Sequence, residues 1–414
     1  FFAKFYLEIQ LFPKAVLKIK YIMFKNLKKK SILLSRSMFK TFRSSIMLKT
    51  VPFLIIISCG GDRRIGMVFN EELENIKSRY TPDRALDVFS VNLKKNNSKW
   101  VLSGETTDEN AFNRTNEIAD SLFGKANVIN NILLLPDAAL NDSIFGIINV
   151  SVSPLREEPR HSSQMVDQAI MGSTINLLKK RDDWYLVQTD YDYIGWMNKT
   201  SISVTDTNGI ENWENKINYR VSSLYASVFS IPYETSQPVS DIILNNMMIG
   251  KRKSNDWIAV TLPDGRSGFV KERKLELINP NQLKYLDTEK ILLEAYKMTG
   301  VPYLWGGNSS KANDCSGFTQ TVFKTIEVQL PRDARQQALL GNEVLPEKDW
   351  KNILPGDLLF FGKDKKVTHV GISTGGKEFI HQGGMVKTNS LDENSPNFSY
   401  KRLKSFLFIK RISP

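Results

Sequence analysis

Apolar and polar positions alternate along the chain in short runs that predict strands, interrupted by one clear helical pattern. Residues 84–91 alternate, and residues 100–103 do the same, so both are predicted strands. Residues 111–123 carry apolar side chains at helical spacing, and Gly124 follows as a stop signal. We therefore expect a small mixed α/β unit over residues 62–148.

An internal repeat follows, in which a strand that begins with tryptophan precedes a strand that contains a glycine-aromatic pair. Trp184 lies eleven residues before Gly195, and Trp257 lies eleven residues before Gly268. Two strands joined by a polar turn of this length form a β-hairpin. The spacing predicts two copies of one all-β unit, at residues 149–207 and 218–278, with the tryptophans in their cores and a linker at residues 205–209.

The last part of the chain, residues 284–412, combines a cysteine with two of the three histidines in the sequence. Cys315 follows Asp314, a good helix N-cap, and a thiol in the first turn of a helix is expected to have a lowered pKa. His369 lies in an alternating strand, and His381 lies twelve residues later in the next strand. Antiparallel pairing would place the two imidazoles side by side, which supplies a nucleophile, a base and a group that orients the base.

Two other interpretations of these residues remain open at this point. A single cysteine is often just a small buried apolar residue, and a cysteine with two histidines can also bind zinc. The surrounding motifs favour the catalytic interpretation. Tyr303 begins an aromatic, glycine-rich motif twelve residues before Cys315, and Pro355 begins a Pro-Gly-Asp motif just before the strand that precedes His369.

Composition and charge exclude several classes of protein. With 41% hydrophobic and 24% charged residues, the 414-residue chain is ordinary globular material with about three domains. The net charge is +12, but residues 1–58 hold twelve Lys/Arg and one acid, so the rest of the chain is almost neutral. A nucleic-acid-binding surface therefore has little support. Two cysteines also exclude a disulfide framework and a multi-cysteine zinc module.

The basic N-terminal segment is predicted to contain an export signal, with initiation at Met38 or Met47. Basic residues precede the apolar run at residues 51–57, and Ser58, Cys59 and two glycines follow, which is the order of a signal peptide. The apolar run is shorter than the ~20 residues of a membrane-spanning helix. Residues 56–59 resemble a bacterial lipobox, although a buried strand with an incidental cysteine is the alternative. We interpret residues 1–59 as an upstream segment and lipoprotein signal that leaves a lipid anchor on Cys59, facing the periplasm or cell exterior.

Six motifs occur in the order found in NlpC-type cell-wall cysteine peptidases, and the resemblance covers about residues 284–412. The motifs are Tyr303-x-Trp305-Gly306-Gly307, Asp314-Cys315-Ser316-Gly317-Phe318, Leu330-Pro331-Arg332, Pro355-Gly356-Asp357-Leu358, His369-Val370-Gly371-Ile372 and Phe379-Ile380-His381. The resemblance implies a papain-like α+β fold that hydrolyses the γ-D-glutamyl–diamino-acid bond of peptidoglycan stem peptides through a thioester, without cofactor or metal. It also implies Cys315 as nucleophile, His369 as base, His381 as its orienting partner, and Tyr303 beside the Cys315 backbone N–H in the oxyanion site.

The resemblance further implies substrate contacts from Asp314, Ser316, Arg332, Asp333 and Tyr193. Arg332 is a candidate cation for the free α-carboxylate of the γ-linked D-glutamate, and a structural ion pair is an equal alternative. Asp333 after Pro331-Arg332 resembles the subset of the family that recycles peptides with a free N-terminal L-alanine, and an N-cap role is its structural alternative. That subset walls off its cleft with the first SH3-like domain. Tyr193 is the best match for the aromatic residue of that wall, and Gln164 stands where an acid is often found.

The repeated units resemble bacterial SH3-like domains, and residues 62–148 are similar to a BON-type module. We therefore expect an α+β multidomain protein with a papain-like NlpC-type catalytic domain, preceded by two small all-β SH3-like barrels and a small mixed α/β unit. Two other functions stay open. One is an endopeptidase that cuts cross-links of the intact sacculus, and the other is a non-catalytic lipoprotein that binds the wall through its SH3-like repeats.

Overall fold

The computed structural model describes residues 61–254, 256–278 and 286–412, and the predicted signal with Cys59 lies outside them. The described residues from Asp62 onward belong to one compact unit. Among the described residues, no helix has the length and apolar character needed to cross a membrane.

The first described segment is a three-stranded sheet packed against two helices. Helix α1 (Gly61–Tyr80) precedes a hairpin of β1 (Phe89–Asn96) and β2 (Lys99–Thr106), and helix α2 (Glu109–Phe123) leads into β3 (Val128–Leu134). Strand β3 pairs parallel to β2, so α2 is the crossover between two parallel strands. The apolar faces of both helices meet the sheet in one core, which includes Phe69, Leu73, Ile76, Leu102, Ile118 and Phe123.

Two expectations for this segment need correction. The strand predicted at residues 84–91 begins only at Phe89, because the chain turns after Asp83, whose carboxylate accepts the backbone N–H of Ala85 at 3.0 Å. Helix α1 is absent from the sequence-based prediction, although its apolar residues do recur at helical spacing. The predicted helix at residues 111–123 is confirmed, and Gly124 ends it with a φ of 78°.

The next sheet has seven strands in the order β10-β4-β7-β8-β9-β5-β6. Its strands are β4 (Phe145–Ile148), β5 (Val152–Arg156), β6 (Met165–Ile170), β7 (Thr174–Arg181), β8 (Trp184–Thr189), β9 (Ile194–Asn198) and β10 (Ile202–Thr205). We call this the first repeat sheet.

The second repeat sheet has the same topology. Its strands are β11 (Tyr219–Val221), β12 (Tyr225–Phe229), β13 (Pro238–Ile243), β14 (Met247–Ser254), β15 (Trp257–Thr261), β16 (Ser267–Lys271) and β17 (Leu275–Leu277). Their order is β17-β11-β14-β15-β16-β12-β13, which matches the first sheet strand for strand. Trp184 and Trp257 each begin the predicted hairpin and are buried. The internal repeat is therefore confirmed.

Two details of the repeat differ from the expectation. Each sheet is open, since its two outermost strands pair with only one neighbour among the described residues, so neither unit is a closed barrel. The predicted linker at residues 205–209 runs directly into helix α3 (Thr207–Lys216), which Asp206 caps at its N-terminus. Trp213 of α3 is buried and donates to the carbonyl of Gly172, so this connection is a packed helix.

The C-terminal region packs helices against a six-stranded antiparallel sheet with the order β18-β23-β19-β20-β21-β22. The helices are α4 (Thr288–Lys297), α5 (Cys315–Lys324), α6 (Ala334–Gln337) and α7 (Tyr400–Ser405). The strands are β18 (Asn342–Val344), β19 (Leu358–Lys363), β20 (Lys366–Gly375), β21 (Glu378–Gln382), β22 (Val386–Ser390) and β23 (Phe406–Arg411). Phe318 and Val322 of α5 share one core with Val370 and Ile380, so the helix that begins with Cys315 lies against the two histidine strands. The predicted α+β architecture of this region is confirmed.

Candidate active site

Cys315 is the first residue of helix α5, as its sequence context predicts. The carboxylate of Asp314 accepts the backbone N–H of Gly317 at 2.8 Å and that of Gly306 at 3.0 Å, so it both caps the helix and holds the preceding loop. Gly317 permits the loop to lie against the helix, because a Cβ there would come within 2.0 Å of the carbonyl oxygen of Gly307. These contacts fix the position of Cys315 relative to the glycine-rich loop.

The two histidines lie side by side, as antiparallel pairing of β20 and β21 predicts. Nε2 of His369 lies 2.7 Å from Nδ1 of His381, and Nε2 of His381 lies 2.9 Å from Oδ1 of Asn389. Asn389 also donates from Nδ2 to the carbonyl of Asn397 at 2.8 Å, which fixes its amide so that Oδ1 faces the imidazole. Sequence reasoning missed Asn389, whose only signal is its place in the strand after His381.

This chain of hydrogen bonds assigns the protons on both rings. The amide oxygen of Asn389 accepts, so Nε2 of His381 carries a hydrogen and its Nδ1 is an acceptor. Nε2 of His369 then donates to that Nδ1, which leaves the lone pair of His369 on Nδ1. Burial is the main cause that lowers the pKa of His369 well below its ordinary value and that of His381 to about 4, so both rings are neutral at pH 7.

The thiol of Cys315 meets the strand of His369 directly. The backbone N–H of Val370, the next residue along, donates to the sulfur, yet the pKa of Cys315 is raised to about 11. Burial is the largest cause and the neighbouring Asp314 carboxylate is the second, and together they outweigh the N–H donors. The expected lowering of the pKa by the helix N-terminus is therefore wrong for this structure. The Cys315 thiol and the His369 imidazole are therefore both neutral at pH 7.

A cleft with a volume of about 680 Å³ opens above Cys315. The predicted site residues that line it are Tyr303, Asp314, Cys315, Ser316, Arg332, Asp333 and Tyr193. His369 and His381 are buried and are not among the lining residues, whereas Val367 and Thr368 of the His369 strand do line the cleft. Burial, followed by the nearby Asp314 and Cys315, raises the pKa of Tyr303 to about 12, so its phenol stays protonated and can donate a hydrogen bond.

Arg332 is one of the most deeply buried side chains in the described part of the chain. Its Nε donates to Asp167 at 2.5 Å, Nη1 donates to Asp314 and to the hydroxyl of Ser316, and Nη2 donates to Asp314 and to the carbonyl of Gly307. A guanidinium has five N–H groups, so all of them are donated within the protein. This geometry favours the structural ion pair over a contact with a substrate carboxylate.

Asp333 lines the cleft and forms an ion pair with a neighbouring arginine. Nη2 of Arg335 lies 2.9 Å from the Asp333 carboxylate, and the same guanidinium binds Asp83 with two hydrogen bonds of 2.7 Å. Asp333 is the N-cap of α6 and forms a capping box with Gln336, whose side chain accepts the backbone N–H of Asp333 at 3.0 Å, as the structural alternative predicts.

The first repeat sheet forms one wall of the cleft. Tyr193 and Gln164 both line it, and Tyr193 is buried with a raised pKa, mainly because of burial. Glu157 lines the same wall beside Gln164, to whose carbonyl it donates its backbone N–H at 3.0 Å. Sequence reasoning missed Glu157 because it sought the acid at position 164. It also missed residues 82–85 of the N-terminal segment, which line the cleft as well.

Comparison with known sequences identifies two regions of the chain. The sequence pattern of the NlpC/P60 family matches residues 300–404, and that of the bacterial dipeptidyl-peptidase Sh3 domain matches residues 155–202. The first of these regions contains Cys315, His369 and His381, and the second contains most of the first repeat sheet.

Three relatives extend this result. Dipeptidyl-peptidase 6 of Lysinibacillus sphaericus is 26% identical over 261 residues, which cover 60% of this chain and 93% of that protein. The γ-D-glutamyl-L-lysine dipeptidyl-peptidase of Bacillus subtilis is 42% identical over 132 residues, or 31% of this chain and 42% of that protein. A probable endopeptidase of Haemophilus influenzae is 36% identical over 125 residues, or 29% of this chain and 71% of that protein.

A solved structure agrees in fold. The crystal structure of an NlpC/P60 family protein from Bacillus cereus superimposes with a TM-score of 0.56 at 22% identity, covering 65% of this chain and all of that one. The fold, the family pattern and the relatives concur with the resemblance drawn from the motifs. The chain belongs to the NlpC/P60 family of cysteine peptidases.

Proposed function

We propose that this peptidase hydrolyses the γ-D-glutamyl–diamino-acid bond of peptidoglycan stem peptides that carry a free N-terminal L-alanine. The observation that carries the proposal is the hydrogen-bonded series from His369 through His381 to Asn389, on the strands next to a cleft that is lined by Cys315 and by carboxylates. The names of the Bacillus and Lysinibacillus relatives support a peptide substrate of this class.

The reaction follows from the assigned protons. Nδ1 of His369 takes the proton of the Cys315 thiol as the sulfur attacks the γ-carbonyl carbon of D-glutamate. The Tyr303 hydroxyl and the backbone N–H of Cys315 would stabilise the resulting oxyanion. The imidazolium gives its proton to the departing amine of the diamino acid, which leaves a thioester. Water, deprotonated by His369, then releases the acid and restores the thiol.

Carboxylates at the wall of the cleft support recognition of a free amine. Glu157 is exposed there and forms no ion pair among the described residues, while Asp333 shares its charge with Arg335. The L-alanine amine is cationic at neutral pH, and a charge-assisted hydrogen bond to a carboxylate contributes about 1.5–3 kcal/mol. A peptide still joined to muramic acid has an uncharged amide at this position and additional bulk against Tyr193.

The test compares kcat/KM for L-Ala-γ-D-Glu-L-Lys with a free and with an acetylated alanine. The wild type should prefer the free amine by roughly ten- to a hundredfold, and Glu157→Gln and Asp333→Asn should each reduce that preference. Glu158→Gln is the matched control, because this neighbouring acid pairs with Arg160 and does not line the cleft. Equal rates on both peptides would favour an endopeptidase of the intact sacculus. If the wild type shows no more turnover than Cys315→Ala, a non-catalytic wall-binding protein is favoured.

The family indicates an exported protein, and we further propose a lipid anchor on Cys59. The support is the order of basic, apolar and small residues before Cys59, which lies outside the described residues. Labelling with a fatty-acid analogue in a bacterial host should mark the wild type and spare Cys59→Ser. An unlabelled wild type would contradict the anchor.

A further inference from the structure

The N-terminal segment reaches the active site through one short turn. Pro82, Asp83, Arg84 and Ala85 line the cleft together with Cys315, although they lie more than two hundred residues before it in sequence. This turn connects α1 to β1, outside both regions that match family patterns. The cleft therefore has a wall that neither the peptidase region nor the first repeat sheet provides.

Contacts on both sides of Arg84 hold the turn in place. The Asp83 carboxylate accepts hydrogen bonds from Ala85 N–H, from both terminal nitrogens of Arg335 and from Gln336. Burial alone would raise the pKa of Asp83, but these donors lower it to about 2, so the carboxylate is charged at any working pH. On the other side, the carbonyl of Ala85 accepts the backbone N–H of Ile194 at 2.8 Å. The backbone of Arg84 is thus fixed before any ligand arrives.

Arg84 is the cation of the cleft whose charge is unpaired among the described residues. Its side chain is exposed, lines the cleft, and forms no ion pair or hydrogen bond among the described residues. The two other arginines that line the cleft are occupied: Arg332 donates all five N–H groups to the protein, and Arg335 is paired with Asp83 and Asp333. Glu157 is an exposed anion of the same cleft, and it too is unpaired in the part of the chain that the structure describes.

These two unpaired charges match the two charges of one end of the substrate. An L-alanyl-γ-D-glutamyl group carries an ammonium on alanine and a free α-carboxylate on glutamate. We propose that Arg84 binds that α-carboxylate and is a specificity-determining residue contributed by the N-terminal segment. The inference rests on the proposed function, because the carboxylate belongs to that substrate. Arginine suits the task, since its planar fork presents two N–H groups to a carboxylate.

The experiment pairs a substrate change with an enzyme change. The two peptides are L-Ala-γ-D-Glu-L-Lys and the same peptide with the α-carboxylate converted to the amide. The wild type should cleave the carboxylate peptide with a kcat/KM about ten- to a hundredfold higher than the amide. Arg84→Met should lower kcat/KM for the carboxylate peptide by a similar factor, mainly by raising KM. It should leave kcat/KM for the amide peptide unchanged. Arg84→Lys should retain part of the preference.

The control is Arg114→Met, which removes the same charge from α2 without touching the cleft and should match the wild type. Arg84 is exposed, so its replacement should not impair folding, and equal thermal midpoints check this. If Arg84→Met keeps the carboxylate preference of the wild type, or lowers kcat/KM for both peptides by the same factor, Arg84 does not bind the carboxylate. If the wild type cleaves neither peptide, the proposed function itself fails, and the inference fails with it.

Discussion

The two repeat sheets share one topology, but their buried charged residues, Asp167 and Arg220, act at different ends of the helix that begins with Cys315. The first repeat sheet contacts the start of α5. Asp167 on β6 binds Arg332, which in turn binds Asp314, the N-cap of the helix. The first sheet also brings Tyr193 and Glu157 to the cleft.

The second repeat sheet contacts the end of the same helix. Arg220 on β11 donates to the carbonyl of Lys324 at 3.2 Å and to that of Thr325 at 3.2 Å, and it also pairs with Glu276. These carbonyls belong to the last residue of α5 and to its C-cap, where carbonyls have no partner within the helix and the dipole favours a cation. No described residue of this sheet is among those that line the cleft.

The two copies share one fold, so their different roles follow from where these contacts lie along α5. The start of the helix carries the thiol, so a domain that packs there also borders the cleft. The end carries only carbonyls, and a domain that packs there can contribute stability alone. Equivalent positions illustrate this: Tyr193, two residues before Gly195, faces the cleft, whereas Arg266, two residues before Gly268, pairs with Asp264.

The largest effect on stability and activity is expected when the ion pair between Arg332 and Asp167 of the first repeat sheet is broken. Arg332→Met leaves Asp167 and Asp314 buried without their cation, which should lower the free energy of unfolding by about 3–5 kcal/mol. Because Asp314 also caps the helix of Cys315, kcat on the tripeptide should fall by about a hundredfold even where the variant is fully folded. Urea unfolding and kinetics at low temperature measure the two effects separately. A folded variant with wild-type kcat would show that this contact does not position the thiol.

A smaller effect, on stability alone, is expected from the second sheet. Arg220→Met removes a buried cation from the end of α5 and should lower the free energy of unfolding by about 1–3 kcal/mol. Values of kcat/KM for the free and acetylated peptides should stay within about twofold of the wild type, because Arg220 is far along the helix from Cys315. A changed preference between the two peptides would contradict the division of roles between the sheets.

Much of this arrangement could be predicted from the sequence because the relevant signals are local. The eleven-residue spacing from Trp184 to Gly195 fixes a hairpin, and the Asp-Cys pair fixes a helix start. The twelve residues between His369 and His381 suffice for one antiparallel turn, which brings the rings together. Helix α1 could also have been predicted, since Phe69, Leu73 and Ile76 recur at helical spacing.

The remaining features depend on contacts between residues that are distant in sequence. Asp167 precedes Arg332 by 165 residues, so no local pattern shows that the arginine is fully occupied. The turn of Arg84 is held at the cleft by residues that are distant in sequence, Ile194 and Arg335. The sign of the Cys315 pKa shift depends on burial, which opposes the helix dipole and outweighs it.

The smallest expected effect is a change of stability with pH that involves Asp167 of the first repeat sheet and no residue of the second. Burial raises the pKa of Asp167 from 3.8 to about 6, in spite of Arg332 and Tyr191. The folded protein therefore binds this proton more tightly than the unfolded chain, and the stability that the group contributes is lost as pH rises through about 6. Between pH 7 and pH 5 the gain from Asp167 is about 1 kcal/mol. His369 and His381 act in the opposite direction, because their lowered pKa values make the folded state lose stability as pH falls below the ordinary value of 6.5.

The measurement must therefore compare variants rather than follow the wild type alone. Urea unfolding at pH 5 and pH 7 gives a stability difference for each protein, and the histidines contribute equally to all of them. In Asp167→Asn the loss on going from pH 7 to pH 5 should exceed that of the wild type by about 1 kcal/mol, because the offsetting carboxylate is gone. Arg220→Met should retain the wild-type difference, since its contact with α5 does not include Asp167. Identical pH responses in Asp167→Asn and the wild type would mean that Asp167 stays charged down to pH 5, and that Arg332 compensates its burial more fully than the raised pKa implies.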